Sequence, residues 1–457
     1  MKFDLVIREG TVASPTGCVQ ADIGISDGKI VALADRIDRR EADAAEVVNA
    51  AGKLVLPGVI DAHTHMEHGS GSDVTVDDFE NGSKAAAAGG VTTFMDFVIQ
   101  KEGRSIAESF ALRNGSASRK SVIDYSFHIA LMDVNEDIIA EIPSAVRDIS
   151  SSFKVFMTYR KLGFMLDDDT LLRVMDVAGG CGGMVIVHAE NDAMVEHLTD
   201  KCLRENKLAP IYHAESRPNV VEAEAVHRVI QFSRVTGCPV FVFHVSSREA
   251  MHHVREARSQ GLPIQAETNP HYLLLNRDRY EGPQGENFIM TPPLRSLGDS
   301  DELWVALRSG VLQTLSTDHC PYHKRHKAGG KTDFTNVSPG IPGIELLLPL
   351  IYSEGVRKGR ISIERMVQLL CSEPARIFGL APAKGSIQIG ADADIAILNP
   401  EEQWTVDPQT LLMNSDYSPF EGFSLTGKVE ATLSRGRVVF RDGRILAEPG
   451  SGRYLYR

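Results

Sequence analysis

The stretch Pro57-Gly58-Val59-Ile60-Asp61-Ala62-His63-Thr64-His65 closes an apolar run that begins at Leu54. In an extended strand residues i and i+2 point to the same side, so His63 and His65 face one point in space. Seven further short apolar runs follow: Thr92–Phe97, Val122–Leu131, Phe153–Met157, Met184–His188, Val240–Val245, Ile264–Thr268 and Thr314–Asp318. Each is rich in β-branched or aromatic residues, and helix-like stretches such as Val220–Arg234 lie between them. Eight β-then-α units predict an α/β chain with a (β/α)8 TIM-like barrel over residues 53–382. A doubly wound open sheet is the rival architecture for such an alternation.

The two ends of the chain read differently. Leu5–Val12 and Ile23–Leu33 alternate as strands, with a hairpin signal at Asp27-Gly28-Lys29. Ile387, Ile389, Asp394–Leu398 and Val438–Phe440 before Asp442-Gly443 read the same way. Neither segment holds enough strands for a core of its own. Residues 1–52 and 383–457 are therefore expected to build one small β-sandwich domain together.

The 457 residues carry 48 Lys and Arg against 61 Asp and Glu, a formal charge of −13. Hydrophobic residues make up 43% and charged residues 24%, which excludes general disorder. The acidic balance argues against nucleic acid as a partner. No apolar run approaches the roughly 20 residues that span a bilayer, so no membrane partner is expected. An acid at position 4 interrupts any secretory leader. Six cysteines without a CxxC pair suit reduced thiols, and a cytoplasmic location is expected.

Polar residues of metal-ligand type stand at the ends of the predicted strands. His63 and His65 close the first, His188 the fifth, His244 the sixth and Asp318 the eighth. A lone histidine on an apolar strand is usually a satisfied core residue. Four histidines and an aspartate, each at a strand end in barrel order, point to a metal site on the top face. Lys154 lies inside the apolar strand Phe153–Met157. A buried ammonium must be paired, neutral or modified. A neutral amine that adds carbon dioxide becomes a carbamate, whose two oxygens can bridge two divalent ions.

With these segments in view the sequence resembles the dihydropyrimidinase and hydantoinase family of cyclic amidohydrolases, within the metal-dependent amidohydrolase superfamily. The resemblance runs through Pro57–His65, Gly89-Gly90-Val91-Thr92-Thr93, Ser152–Tyr159 and His188-Ala189-Glu190-Asn191. It continues through Ser216-Arg217-Pro218, His244-Val245-Ser246, Thr291-Pro292-Pro293-Leu294-Arg295 and Thr317–Pro321, and ends in Gly390–Asp394 and Asp416–Gly422. The resemblance implies a hydrolase that opens a cyclic ureide, most simply a 5-substituted hydantoin or a dihydropyrimidine, to an N-carbamoyl amino acid. It implies two divalent ions, usually Zn2+. His63, His65 and Asp318 would hold one ion, His188 and His244 the other, and carboxylated Lys154 both. By the same resemblance Tyr159 donates to the developing oxyanion, Asp318 shuttles the proton, and the chain assembles as a homotetramer. An allantoinase or another cyclic imide hydrolase is the alternative substrate reading, and a non-catalytic scaffold is the alternative of another class. The intact ligand positions oppose the scaffold.

Two departures bear on the substrate. Thr291 stands where the family usually has serine, and Pro339 stands where it usually has asparagine. Proline has no N–H to give a substrate, so the Val337–Glu345 loop is expected to hold its ring differently. No arginine follows His65 until Arg104, so a carboxylated ring such as dihydroorotate lacks its usual bidentate partner. His68 is read as a loop residue and not as a ligand. Residues 66–72, 93–100 and 159–166 are expected to shape the pocket, with Phe94, Phe97, Leu162, Phe164 and Met165 as apolar lining. The segments 417–427 and Tyr454–Arg457 are read as subunit contacts.

Overall fold

In the computed structural model, which describes residues 2–37, 43–70 and 73–457, eight parallel strands pair in chain order. They are β1 (Val59–Asp61), β2 (Val91–Gln100), β3 (Asp124–Leu131), β4 (Ser152–Phe156), β5 (Met184–His188), β6 (Val240–Val242), β7 (Ile264–Thr268) and β8 (Thr314–Leu315). The ring is drawn shut just beyond β1 and β8. Thr64 pairs in parallel with His319, and the His65 N–H donates to the His319 carbonyl at 2.8 Å. Asp61 accepts from both the Thr317 N–H at 3.1 Å and its hydroxyl at 2.5 Å. Parallel pairing with helices outside explains why these strands read as near-continuous apolar runs.

The intervening helices start where side chains can satisfy free N–H groups. Ser105 and Glu108 form a reciprocal capping box, and Asn191, directly after β5, caps Asp192–Arg204. The expected helix at Val220–Arg234 spans Asn219–Thr236 and ends at Gly237, whose φ is +71°.

Both chain ends join one nine-stranded sheet beside the barrel. Its interior unites Leu5, Ile7, Ile23 and Ile25 from one end with Ile395, Ile397 and Leu433 from the other. The Asp27-Gly28 turn is a two-residue hairpin with both φ values positive, pairing Ser26 with Lys29. Three local readings are corrected. The run Leu54–His65 is two strands in two sheets, because Leu54–Pro57 pairs with Ile395–Leu398 in the outer sheet and only Val59–Asp61 enters the barrel. Gly58 permits the crossing: a Cβ there would lie 2.0 Å from the Thr92 hydroxyl oxygen. Ile387 and Ile389 lie outside any strand, and Ile389 is exposed. The long strand Ser424–Ser434, not anticipated, pairs with Ile395–Thr405.

The sheet is tied to the barrel by charge as well as packing. The buried Lys384 ammonium contacts Asp124 at the start of β3 (2.6 Å), Asp394 (2.6 Å) and Asp392 (3.0 Å). Among the described residues no helix is long and apolar enough to cross a membrane.

Candidate active site

The residues beyond the C-terminal ends of β1 and β8 bring three donor atoms together. His63 Nε2 and His65 Nε2 each lie 3.1 Å from Asp318 Oδ1, and 3.3 Å from one another. The Nδ1 of His63 contacts Glu267 Oε1 at 2.7 Å, so its Nε2 lone pair is the atom turned toward Asp318. Burial, reinforced by Lys154 and by the other histidines, holds His63 well below the ordinary histidine range. Burial likewise lowers His65 to about 3. Burial pushes Asp318 up to about 7 and Asp61 up to about 6, and Glu267 is raised as well. Two imidazole nitrogens and a carboxyl oxygen facing one another form a donor set that a divalent ion completes, and its N and O atoms suit zinc.

His188 and His244 stand beside this cluster with ring centroids 4.6 Å apart, and His244 lies 5.6 Å from His63. His188 Nε2 donates to Glu190 Oε2 at 2.7 Å, which leaves Nδ1 as its open donor. Glu190 also accepts from Arg217 at 2.7 Å. Lys154, from β4, is buried with its Nζ 4.1 Å above the Phe243 ring. Among the described residues it forms no ion pair. Burial lowers its amine to about 7, although Asp318 and Glu267 pull the other way. The neutral amine needed for carbamate formation is thus accessible near neutral pH.

The backbone supplies a feature invisible in the sequence. Tyr159, His244 and Asp318 have φ values of 70°, 41° and 51°. Outside turns, non-glycine residues seldom adopt such values, and those held there by surrounding structure gather at functional sites. At His244 and Asp318 the chain turns just after the regular ladders of β6 and β8 have ended, which aims both side chains toward the cluster.

Tyr159 sits past β4 with its ring 5.3 Å from His188 and its hydroxyl facing the Thr291 side chain. Burial raises this hydroxyl, so it stays protonated as a donor. Thr291 is half-buried and Pro339 is exposed. The loops that carry them are stapled together. The buried Lys327 ammonium donates to the carbonyls of Ile289 (2.8 Å) and Ser338 (2.7 Å), and the Gly340 N–H donates to Ile289 at 3.2 Å.

Of the expected lining, Phe97 faces the interior and stacks on His65 at 4.8 Å. Phe94 does not: it packs outward on Phe79 and Tyr125, because side chains alternate along β2. Phe164 lies 6.4 Å from the Tyr159 ring, Met165 bridges to Phe156, and Leu162 is exposed. His68 packs its ring 4.9 Å from His65 and is not among the clustered ligand atoms. Gly71 and Ser72 of the 66–72 loop lie outside the described residues. Glu267, Glu190, Asp61 and Asp96 join the site without a role expected from the sequence. Asp96 accepts from the Met66 N–H at 2.7 Å and from Arg113 at 2.6 Å, and so holds the segment after His65. The signal was the one that marked Lys154: a charged residue inside an apolar strand, as in Ile264–Thr268 and Val91–Gln100.

The family model for the amidohydrolase family matches residues 54–439. A D-hydantoinase of Ralstonia pickettii is 41% identical over 100% of this chain and 99% of its own length. The crystal structure of a dihydropyrimidinase from Brevibacillus agri NCHU1002 superposes with a TM-score of 0.96 at 40% identity, covering 99% of this chain and 98% of that one. An L-hydantoinase (dihydropyrimidinase) from Arthrobacter aurescens superposes at 0.93 with 30% identity over the whole of both chains. The chain therefore belongs to the amidohydrolase family and is a cyclic amidohydrolase of its hydantoinase and dihydropyrimidinase branch.

Proposed function

We propose that the protein is a binuclear zinc enzyme that opens 5-substituted hydantoins, and more weakly dihydropyrimidines, to N-carbamoyl amino acids. The observation that carries the metal reading is the convergence of His63 Nε2, His65 Nε2 and Asp318 Oδ1 on one point. His63, His65 and Asp318 would hold one ion and His188 with His244 the other, with carboxylated Lys154 between them. Bound there, the two ions would supply an activated water near neutral pH and polarise the ring carbonyl.

The chain's own groups do the rest. Asp318 takes a proton from the attacking water and returns it to the leaving ring nitrogen. The Tyr159 hydroxyl donates to the oxyanion as it forms. Thr291 and Pro339 bracket the ring through their backbones. Pro339 offers a carbonyl but no N–H, so at this position the loop can accept from a ring N–H and cannot donate to a ring carbonyl. The higher identity to the D-hydantoinase (41%) than to the L-hydantoinase (30%) supports a preference for the D-enantiomer. A cytoplasmic homotetramer completes the reading by family resemblance. Sedimentation analysis tests the assembly.

The test is ring opening of racemic 5-phenylhydantoin and of dihydrouracil by zinc-loaded protein, with a chelated control and chiral analysis of the product. Zinc-dependent opening of the hydantoin to the D-carbamoyl acid, with slower dihydrouracil turnover, is expected. Strong dihydrouracil turnover overturns the role given to Pro339. Failure with both rings while two ions are bound overturns the substrate reading and turns the search to allantoin and cyclic imides.

A further inference from the structure

The segment Gly452–Arg457 lies against the lower half of β3, where β4 has not yet begun. Along that edge Tyr125 and Phe127 would otherwise present open backbone groups, since β3 pairs with β4 only from Ile129 onward. The Tyr125 N–H donates to the Arg453 carbonyl at 3.0 Å, and the Leu455 N–H donates to the Tyr125 carbonyl at 2.8 Å. Arg457 continues the series with its side chain and donates to the Phe127 carbonyl at 2.5 Å. The segment thus completes the barrel wall, and of Tyr454–Arg457 it is Tyr456 that remains exposed.

The Arg457 guanidinium reaches further. Its Nε donates to Ser126 Oγ (2.9 Å), and the nitrogen already on the Phe127 carbonyl shares its two hydrogens with Ser152 Oγ (2.7 Å) and His128 Nδ1 (3.0 Å). His128 points into the barrel, and its Nε2 contacts the Ala62 carbonyl at 2.9 Å. Ser152 Oγ lies 2.7 Å from His128 Nδ1, and its hydroxyl can either give or take a proton. A guanidinium can only donate. The Ala62 carbonyl, on the residue before His63, can only accept, so Nε2 carries the hydrogen and Nδ1 is left as the acceptor; the guanidinium and the Ser152 hydroxyl hold that acceptor and with it the orientation of the ring. Without the guanidinium, the ring would be held at Nδ1 by the Ser152 hydroxyl alone. The His128 ring also packs 5.5 Å from Phe97 and 5.7 Å from Phe243, which stack on His65 and His63.

We propose that Arg457 is a positioning residue for the metal centre: by orienting His128 it fixes the Ala62 carbonyl and with it the His63–His65 strand end. This rests on the reading of His63 and His65 as zinc ligands. The segment that closes the bottom of the barrel and the chemistry at its top are then coupled through one histidine.

The experiment follows zinc loss to a chelator from the zinc-loaded full chain, alongside kcat, KM and thermal midpoint, for Arg457→Ala, Arg457→Lys, His128→Phe and the Arg457→Ala/His128→Phe pair. Zinc loss about tenfold faster in Arg457→Ala and in His128→Phe is expected, in the range for lost partners of metal ligands. Arg457→Lys should be intermediate, with kcat lowered and KM unchanged. The pair should lose zinc no faster than His128→Phe alone, because both changes break one path. A lower thermal midpoint with unchanged zinc loss and kcat would show a purely structural wall and overturn the proposal, and so would additive effects in the pair. If Arg457→Ala does not fold, Arg457→Lys combined with His128→Phe decides by the same criterion. Wild-type protein that retains no zinc overturns the metal reading beneath it, whereas retained zinc with indifferent variants overturns this inference alone.

Discussion

Replacing Arg217 by methionine removes the counter-charge of a carboxylate that orients a proposed ligand. Glu190 is completely buried. Burial alone would raise its carboxyl, yet Arg217 at 2.7 Å and the His188 hydrogen bond outweigh it and hold the group at about 2. Breaking such a buried pair from one side costs about 3–5 kcal/mol, because the remaining charge is left without a partner. Glu190 then either stays ionised at that cost or protonates and ceases to be a charged acceptor for His188. Loss of an orienting partner lowers metal affinity about 10- to 100-fold, or about 1.4–2.8 kcal/mol. The two effects separate in the double variant Arg217→Met/Glu190→Gln. It removes both charges, so most of the stability should return, while His188 still faces a neutral acceptor and the second zinc should still bind weakly. The assay is the urea midpoint of the metal-free protein together with zinc occupancy against buffered free zinc. An unshifted urea midpoint in Arg217→Met, or wild-type zinc affinity in the double variant, would refute the reasoning.

Three further outcomes are expected. Tyr159→Phe should lower kcat about 100- to 1000-fold, the range for removal of one oxyanion donor, with KM changed far less; steady-state kinetics decide, and a kcat within threefold of wild type (roughly 0.6 kcal/mol) would remove Tyr159 from the chemistry. Activation of metal-free protein by zinc, with dissolved carbon dioxide held at one concentration, should quicken as pH rises through 7, since the burial-lowered Lys154 amine is neutral above that value and protonated below it. The neutral fraction grows about tenfold between pH 6 and pH 8, so a flat activation profile would count against carbamate formation at this lysine. Lys384→Met should lower the unfolding midpoint, with a loss of about 3–5 kcal/mol, because among the described residues Asp124, Asp392 and Asp394 keep only Arg435 and Lys29 as cationic side-chain contacts. Zinc occupancy should be unchanged, since this cluster sits at the start of β3, and weakened zinc binding would contradict the separation.

Much of the barrel was legible because its information is local. Short apolar runs separated by helical stretches report parallel strands buried on both faces, and the period of two within a strand placed His63 and His65 on one side before any contact was known. Lys154 was legible for a different reason: a lone cation in an apolar strand must be resolved by its surroundings. The same rule, applied to Glu267, Asp96 and Asp61, would have found three of the groups that hold the histidine segment and its neighbours in place. What the sequence could not decide is set by contacts between distant residues. Nothing local says that Leu54–Pro57 belongs to one sheet and Val59–Asp61 to another. That division follows from the pairing with Ile395–Leu398 and from the space that Gly58 leaves beside Thr92. The left-handed turns at His244 and Asp318 likewise have little signal in residue type, because histidine and aspartate are only enriched at such values and the closed barrel enforces them here. Arg457 is the extreme case: hundreds of residues separate it from Ala62, and only folding places them at the two ends of one histidine. The sequence by itself determined the chemistry available at the strand ends. The tertiary structure decided which atoms of those residues face one another, because orientation depends on hydrogen-bond partners that lie far away along the chain.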